Sequence, residues 1–139
     1  MKRYEFGEHT ADIIVRGFGA TLEEAFAATA EGMFGVMTDR APIDQRETVT
    51  LSVESIDLEA LLITFLSKLI LVFEIDGYVL GDITVSFNGP HALTAVGRGE
   101  KFSREKHGHG IVVKGASYHM VSISAPTAGE CAVQVLLDI

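Results

Sequence analysis

Between Asp57 and Gly77 the chain carries its most constraining feature. Leu58, Leu61, Leu62, Phe65, Leu66, Leu69, Ile70 and Phe73 recur at intervals that place them on one broad helical face. A face that wide is stable only when something covers it. The stripe predicts a helix over about 57–74 at the centre of a packed core, with Asp57 as N-cap and Asp76-Gly77 as its stop. A membrane span does not fit. The longest apolar stretch, Leu58 to Val72, is broken by Glu59, Thr64, Ser67 and Lys68. It also falls short of the ~20 apolar residues a bilayer requires.

A second helical period runs over about 21–37, through Leu22, Ala25, Phe26, Ala30, Met33, Phe34 and Met37. Thr21 followed by Glu24 forms a capping box, and Glu23 and Glu24 suit the positive end of the helix dipole. Phe26, Phe34, Leu62, Phe65 and Leu69 are the expected heart of the core. Elsewhere strands are expected: over 12–18 ahead of the first helix, and, where apolar and polar residues alternate, from Val49 to Val53, from Ile83 to Phe87, and in the run 133–137. Asn88-Gly89-Pro90 turns the third of these back into the run 92–97 as a hairpin. The stretches 111–117 and 120–124 read as a further pair of strands. Strands surrounding two helices without strict alternation give an α+β fold, two helices on a mixed, mainly antiparallel sheet, as one domain over 1–139. Gly17-Phe18-Gly19, between a strand and a helix, lacks the third glycine of a dinucleotide fingerprint and is not read as one.

Charge narrows the function. Eleven Lys and Arg against nineteen Asp and Glu leave a net charge of −8 in 139 residues. That balance excludes nucleic-acid binding over the whole surface, which rests on cations neutralising phosphates. Residues 98–114 depart from it, with five basic side chains against two acidic ones. With His107, Gly108, His109 and Gly110 they read as an exposed, solvated loop. The single cysteine, Cys131, excludes a disulfide framework and a multi-cysteine zinc site, and it reads as a buried strand residue. The basic N-terminus has no apolar run behind it and does not read as a signal peptide, so a soluble cytoplasmic protein is expected.

Asp12 and Asp138 are the residues most open to chemistry. Each has a bland reading: a strand-start Asp capping nearby amides, and a frayed chain end. The sharper reading joins them. If the last strand lies beside the first, Asp12, Asp138 and the carboxylate of Ile139 converge, repel one another, and invite a divalent cation. All-oxygen ligation favours Ca²⁺ or Mg²⁺, with Mn²⁺ also possible. The five histidines show no His-x-x-x-His spacing, and His107-Gly108-His109 has no cysteine near it to make a zinc site. No nucleophile–base arrangement can be read from the order of residues alone.

Several short motifs then fall into one order. They are His9-Thr10-Ala11-Asp12 before a strand, Ala20-Thr21-Leu22-Glu23-Glu24-Ala25-Phe26, Met37-Thr38-Asp39, and Asp57-Leu58-Glu59-Ala60-Leu61-Leu62. Gly97-Arg98-Gly99-Glu100 follows with His107 after it, then Val113-Lys114-Gly115-Ala116-Ser117-Tyr118-His119 and the final Asp138. In this order and spacing, over about 130 residues, the chain resembles the archease family. The resemblance implies an activator of the GTP-dependent RNA ligase that joins tRNA exon halves, rather than an enzyme. Such a protein promotes formation of the ligase–guanylate intermediate and repeated turnover. It would meet RNA only through the ligase and would not act at a membrane. The family's metal site, usually assigned to Ca²⁺, maps onto Asp12, Asp138 and Ile139, and its functional lysine onto Lys114. Ile14 stands where many members have glycine. The competing classes are a metal-dependent phosphoesterase using Asp12 and Asp138, and a general chaperone.

Overall fold

A computed structural model of the chain describes residues 2–9, 12–39, 41–108 and 110–139. In chain order the elements are β1 (Arg3–His9), β2 (Asp12–Gly19), α1 (Leu22–Met37), β3 (Glu47–Glu54) and α2 (Leu58–Leu71). They continue with β4 (Tyr78–Gly89), β5 (Ala92–Lys101), the single turn α3 (Arg104–His107), β6 (Gly115–Ser124) and β7 (Cys131–Asp138). The class is α+β. The strands divide between two sheets, with orders β1-β2-β7-β6 and β3-β5-β4, and all the described pairings are antiparallel.

The capping chemistry works as the residues suggest. Thr21 Oγ1 accepts the Glu24 amide at 3.1 Å, and Glu24 reaches back to the Ala20 amide at 3.0 Å. Asp57 accepts the Ala60 amide at 2.7 Å. The second helix leaves α geometry earlier than expected. Val72–Asp76 widen into a π turn, closed by Gly77 at φ 75°, a left-handed conformation that glycine adopts without a Cβ clash.

α1 is buried nearly all round from Ala25 to Met37 because it packs against β1, β2 and β7 on one side and β4 on the other. Gly17 permits that approach: a Cβ there would stand 2.1 Å from Thr29 Oγ1 of the helix. Its purpose is close helix–strand packing, which accounts for the glycine beside Phe18 without any phosphate. Glu31 and Glu23 of α1 accept the Ile83 and Phe87 amides of the β4 edge, each at 2.9 Å, and so cover donors a lone edge strand would expose.

α2 packs against β6 and β3, so both long helices touch both sheets rather than lying on one. Phe26, Phe34, Leu62 and Phe65 are fully buried, as is Leu69 at 1% exposure. Replacing Phe65 by Ala should therefore cost on the order of 3–5 kcal/mol. Urea unfolding would measure it, and a loss under ~1 kcal/mol would mean the site collapses around the void.

One element was not anticipated, and one expectation needs correction. The N-terminal segment forms β1, which its alternation had not disclosed: Tyr4 and Phe6 pack inward with ring centroids 5.4 Å apart. The expected pair of strands at 111–117 and 120–124 is the single strand β6. Its two ends pair with one partner, Ser117 with Leu136 and Ser122 with Gln134, so residues 118–121 bulge. Met120 sits in the bulge at φ 63°, its carbonyl held by Gln134 Nε2 at 2.8 Å.

Candidate metal centre and its flanking lysine

β2 and β7 pair so that Asp12 stands directly opposite Asp138, Ile13 opposite Leu137 and Val15 opposite Val135. Val133, Val135 and Leu137 are buried in the core, which turns Asp12 and Asp138 to the other face. On that face Arg16 Nε donates to Gln134 Oε1 at 2.9 Å, a cross-strand pair further along the same register from Asp12 and Asp138. Antiparallel partners hold their Cβ atoms about 4.5–5.5 Å apart, within reach of one shared ion. β6 lies on the far side of β7 with Gly115 opposite Asp138. A Cβ on Gly115 would lie 3.9 Å from Asp138 Oδ2, so the carboxylate leans towards a position without a side chain. Asp12 is half-buried, while Asp138 and Ile139 are exposed.

The register thus brings the two aspartates together, with Ile139 next in the chain. Like charges directly opposite on a sheet destabilise it, and a divalent cation would reverse that sign. The donors are all oxygen, which suits a hard ion such as Ca²⁺. Among the described residues no group of three or more His, Cys, Asp or Glu side chains gathers to hold a metal. Thr10 and Ala11 of the His9-Thr10-Ala11-Asp12 motif lie outside the described residues.

Lys114 is exposed and precedes β6 rather than lying inside a strand. Its backbone amide donates to the Asp138 carbonyl at 2.7 Å, which places it at the same end of the sheet as the two aspartates.

The basic stretch 98–114 is not the exposed loop expected. Arg98 to Lys101 complete β5, and Arg98 pairs with Asp82 at 2.8 Å. Lys101 lies over the Tyr78 ring at 4.4 Å. Charge patterning missed Glu100 and His107, which are 7% and 1% exposed. Glu100 accepts from the Asp44 amide at 2.8 Å and from Lys106 Nζ and His107 Nε2 at 2.9 and 3.0 Å. Glu100 breaks the in-out alternation of β5, so only the covering segments reveal its burial.

The Lys106 hydrogen bond, then the Asp44 amide and His107, hold the Glu100 carboxyl well below its ordinary value of 4.5, at about 2. A lowered folded-state value means stability that is present above the unfolded-state value and lost as pH falls towards the folded one. The stability difference between wild type and Glu100→Gln should be full above about pH 5 and shrink as pH drops towards 3. Urea midpoints at several pH values would check this, and a difference independent of pH would contradict it.

The molecule so far is a small α+β protein with two helices bridging two antiparallel sheets and paired carboxylates at one sheet end. Comparison with known proteins then identifies the class more closely. The Archease protein family model matches residues 4–139. The chain is 43% identical to protein archease of Thermococcus gammatolerans, over the whole of both chains, and 39% identical to that of Pyrococcus furiosus, again over both. The solution structure of Methanobacterium thermoautotrophicum protein 1598 superposes with a TM-score of 0.71 at 27% identity, covering 98% of each chain. The crystal structure of a Thermotoga maritima archease, described as a possible chaperone, shares the fold with a TM-score of 0.66 at 19% identity, covering 96% of this chain and 94% of that one. The chain belongs to the archease family. Among the described residues no helix is long and apolar enough to cross a membrane.

Proposed function

We propose that this chain activates the GTP-dependent RNA ligase of tRNA splicing in the cytoplasm, promoting ligase guanylylation and multiple turnover through a divalent cation held by Asp12, Asp138 and an oxygen of Ile139. The observation that carries the reading is the Asp12–Asp138 juxtaposition with Lys114 tied to Asp138 through its backbone, in a chain that matches the family along its length. When bound, the cation supplies positive charge where anionic phosphates must be brought together. The chain's own part is to hold that charge on a rigid sheet end and to set Lys114 beside it. A net charge of −8 favours a basic, RNA-binding partner, since opposite fields steer association, and it leaves contact with RNA to the ligase.

The test uses purified ligase, GTP and broken tRNA halves, with and without the chain. Faster guanylylation and product beyond one turnover at substoichiometric chain are expected. Cleavage of phosphoester substrates by the chain alone would favour the enzyme class instead. Rescue of unrelated aggregating proteins without effect on guanylylation would favour a chaperone.

A further inference from the structure

The buried Glu100–His107 pair has no part in the candidate metal centre, yet the chain that runs on from it reaches Lys114. The Ser103 backbone amide donates to His107 Nδ1 at 2.9 Å, so that nitrogen is an acceptor and the ring proton sits on Nε2. Nε2 donates it to the Glu100 carboxylate at 3.0 Å. The ring stacks on Phe102, centroids 5.5 Å apart, and its backbone amide closes the turn on the Ser103 carbonyl at 2.7 Å. A one-turn helix such as α3 has no stability of its own, so these contacts hold it.

What leaves that anchor is the segment that ends at Lys114. Gly110 lies so close to α1 that a Cβ would stand 1.7 Å from the Met37 carbonyl oxygen. The Ile111 amide donates to Val36 O at 3.1 Å, Val113 is buried, and the Lys114 amide reaches Asp138 O. The path is therefore tied at α1, at the core and at β7, and its origin is tied at Glu100.

We infer that His107, through its Nε2–H bond to Glu100, is a positioning residue that sets the course of 110–114 and so delivers Lys114 to the Asp12–Asp138 end of the sheet. Its importance for activation rests on the function proposed above, whereas its effect on the segment does not. Asn and Gln divide the two roles of the ring. Asn can offer an acceptor near the Nδ1 position but cannot reach Glu100. Gln can place an N–H donor near the Nε2 position.

The experiment measures amide hydrogen exchange in the isolated full chain and guanylylation of the ligase, for wild type, His107→Asn, His107→Gln and Glu100→Gln. In His107→Asn, exchange at Ile111 and Lys114 should quicken at least tenfold, while the Leu61 amide, bonded to Asp57 O at the start of α2, keeps its protection. The plateau of activation should fall at least tenfold with little change in the half-saturating concentration of the chain. His107→Gln should recover most of both losses, and Glu100→Gln, which keeps the acceptor and loses the charge, should fall between. Unchanged exchange at Ile111 and Lys114 in both His107→Asn and Glu100→Gln would overturn the inference. So would a Gln variant as defective as the Asn variant, because the ring's bulk would then be what matters. Faster exchange with full activation would remove His107 from the delivery of Lys114. A wild-type chain that fails to activate the ligase would instead sink the proposed function, and exchange alone would still decide the anchor.

Discussion

Replacing Asp138 by Ala should weaken Ca²⁺ binding by more than about 100-fold and leave the chain folded, and Asp12→Ala should do the same. Loss of an outer-sphere partner of a metal site costs about 10–100-fold, and a direct carboxylate ligand should cost more. Folding should survive because neither aspartate is part of the core: Asp138 is exposed, and the residues that hold β2 to β7 are Val15, Val135 and Leu137. The melting temperature adds a second readout. A ligand at 100 times its Kd stabilises a fold by about 2.7 kcal/mol, so Ca²⁺ should raise the Tm of wild type and leave those of both variants unmoved. Titration calorimetry with thermal melts would test this. Variants that bind Ca²⁺ as wild type does would place the ion elsewhere.

What sequence reasoning reached was governed by how local the physics was. Helix α1 and the cap of α2 could be read because a cap and a 3.6-residue stripe are defined within a few residues of one another. Phe65 and Leu69 followed from that phase. β1 escaped notice because only Tyr4 and Phe6 alternate before Gly7 interrupts them. The bulge in β6 was invisible because it depends on two stretches choosing the same partner, β7. The candidate metal centre was half legible: alternation turned Asp138 away from Val133 and Val135, but only the pairing of β2 with β7 sets it against Asp12. Glu100 and His107 were the least legible. A charged residue in a basic, glycine-rich stretch carries the signature of a solvated loop. The pair is held by neighbours outside β5: Asp44 and Lys106 bond Glu100, and Ser103 bonds His107.

Lys114→Ala should reduce ligase activation by about 100-fold or more, the scale for losing one preorganised donor at a reacting centre, and the loss should persist at high salt. The backbone carries the reason. Lys114 is fixed by its amide to Asp138 O at 2.7 Å and follows buried Val113, so its side chain starts from a rigid point next to the candidate cation. A charge acting at such short range inside an interface is poorly screened, whereas surface charges further apart than the Debye length, about 8 Å at physiological salt and about 3 Å at 1 M, lose their influence. Arg104 supplies the contrast. It is exposed on α3, in the basic stretch but outside the Glu100 cluster, and Arg104→Ala should slow activation at low salt and hardly at all at high salt. Lys106 would be a poor control, because its ammonium is engaged by Asp44 and Glu100 at 2.5 and 2.8 Å. The lysine side chain can be removed without disturbing the Asp138 bond, which uses the main chain, so Ca²⁺ affinity and Tm should hold in Lys114→Ala. Stopped-flow measurement of guanylate transfer to the ligase at two ionic strengths would separate the two behaviours. Full activation by Lys114→Ala would leave the carboxylate pair as the working part of this surface, and a defect that faded with salt would reduce Lys114 to one more steering charge.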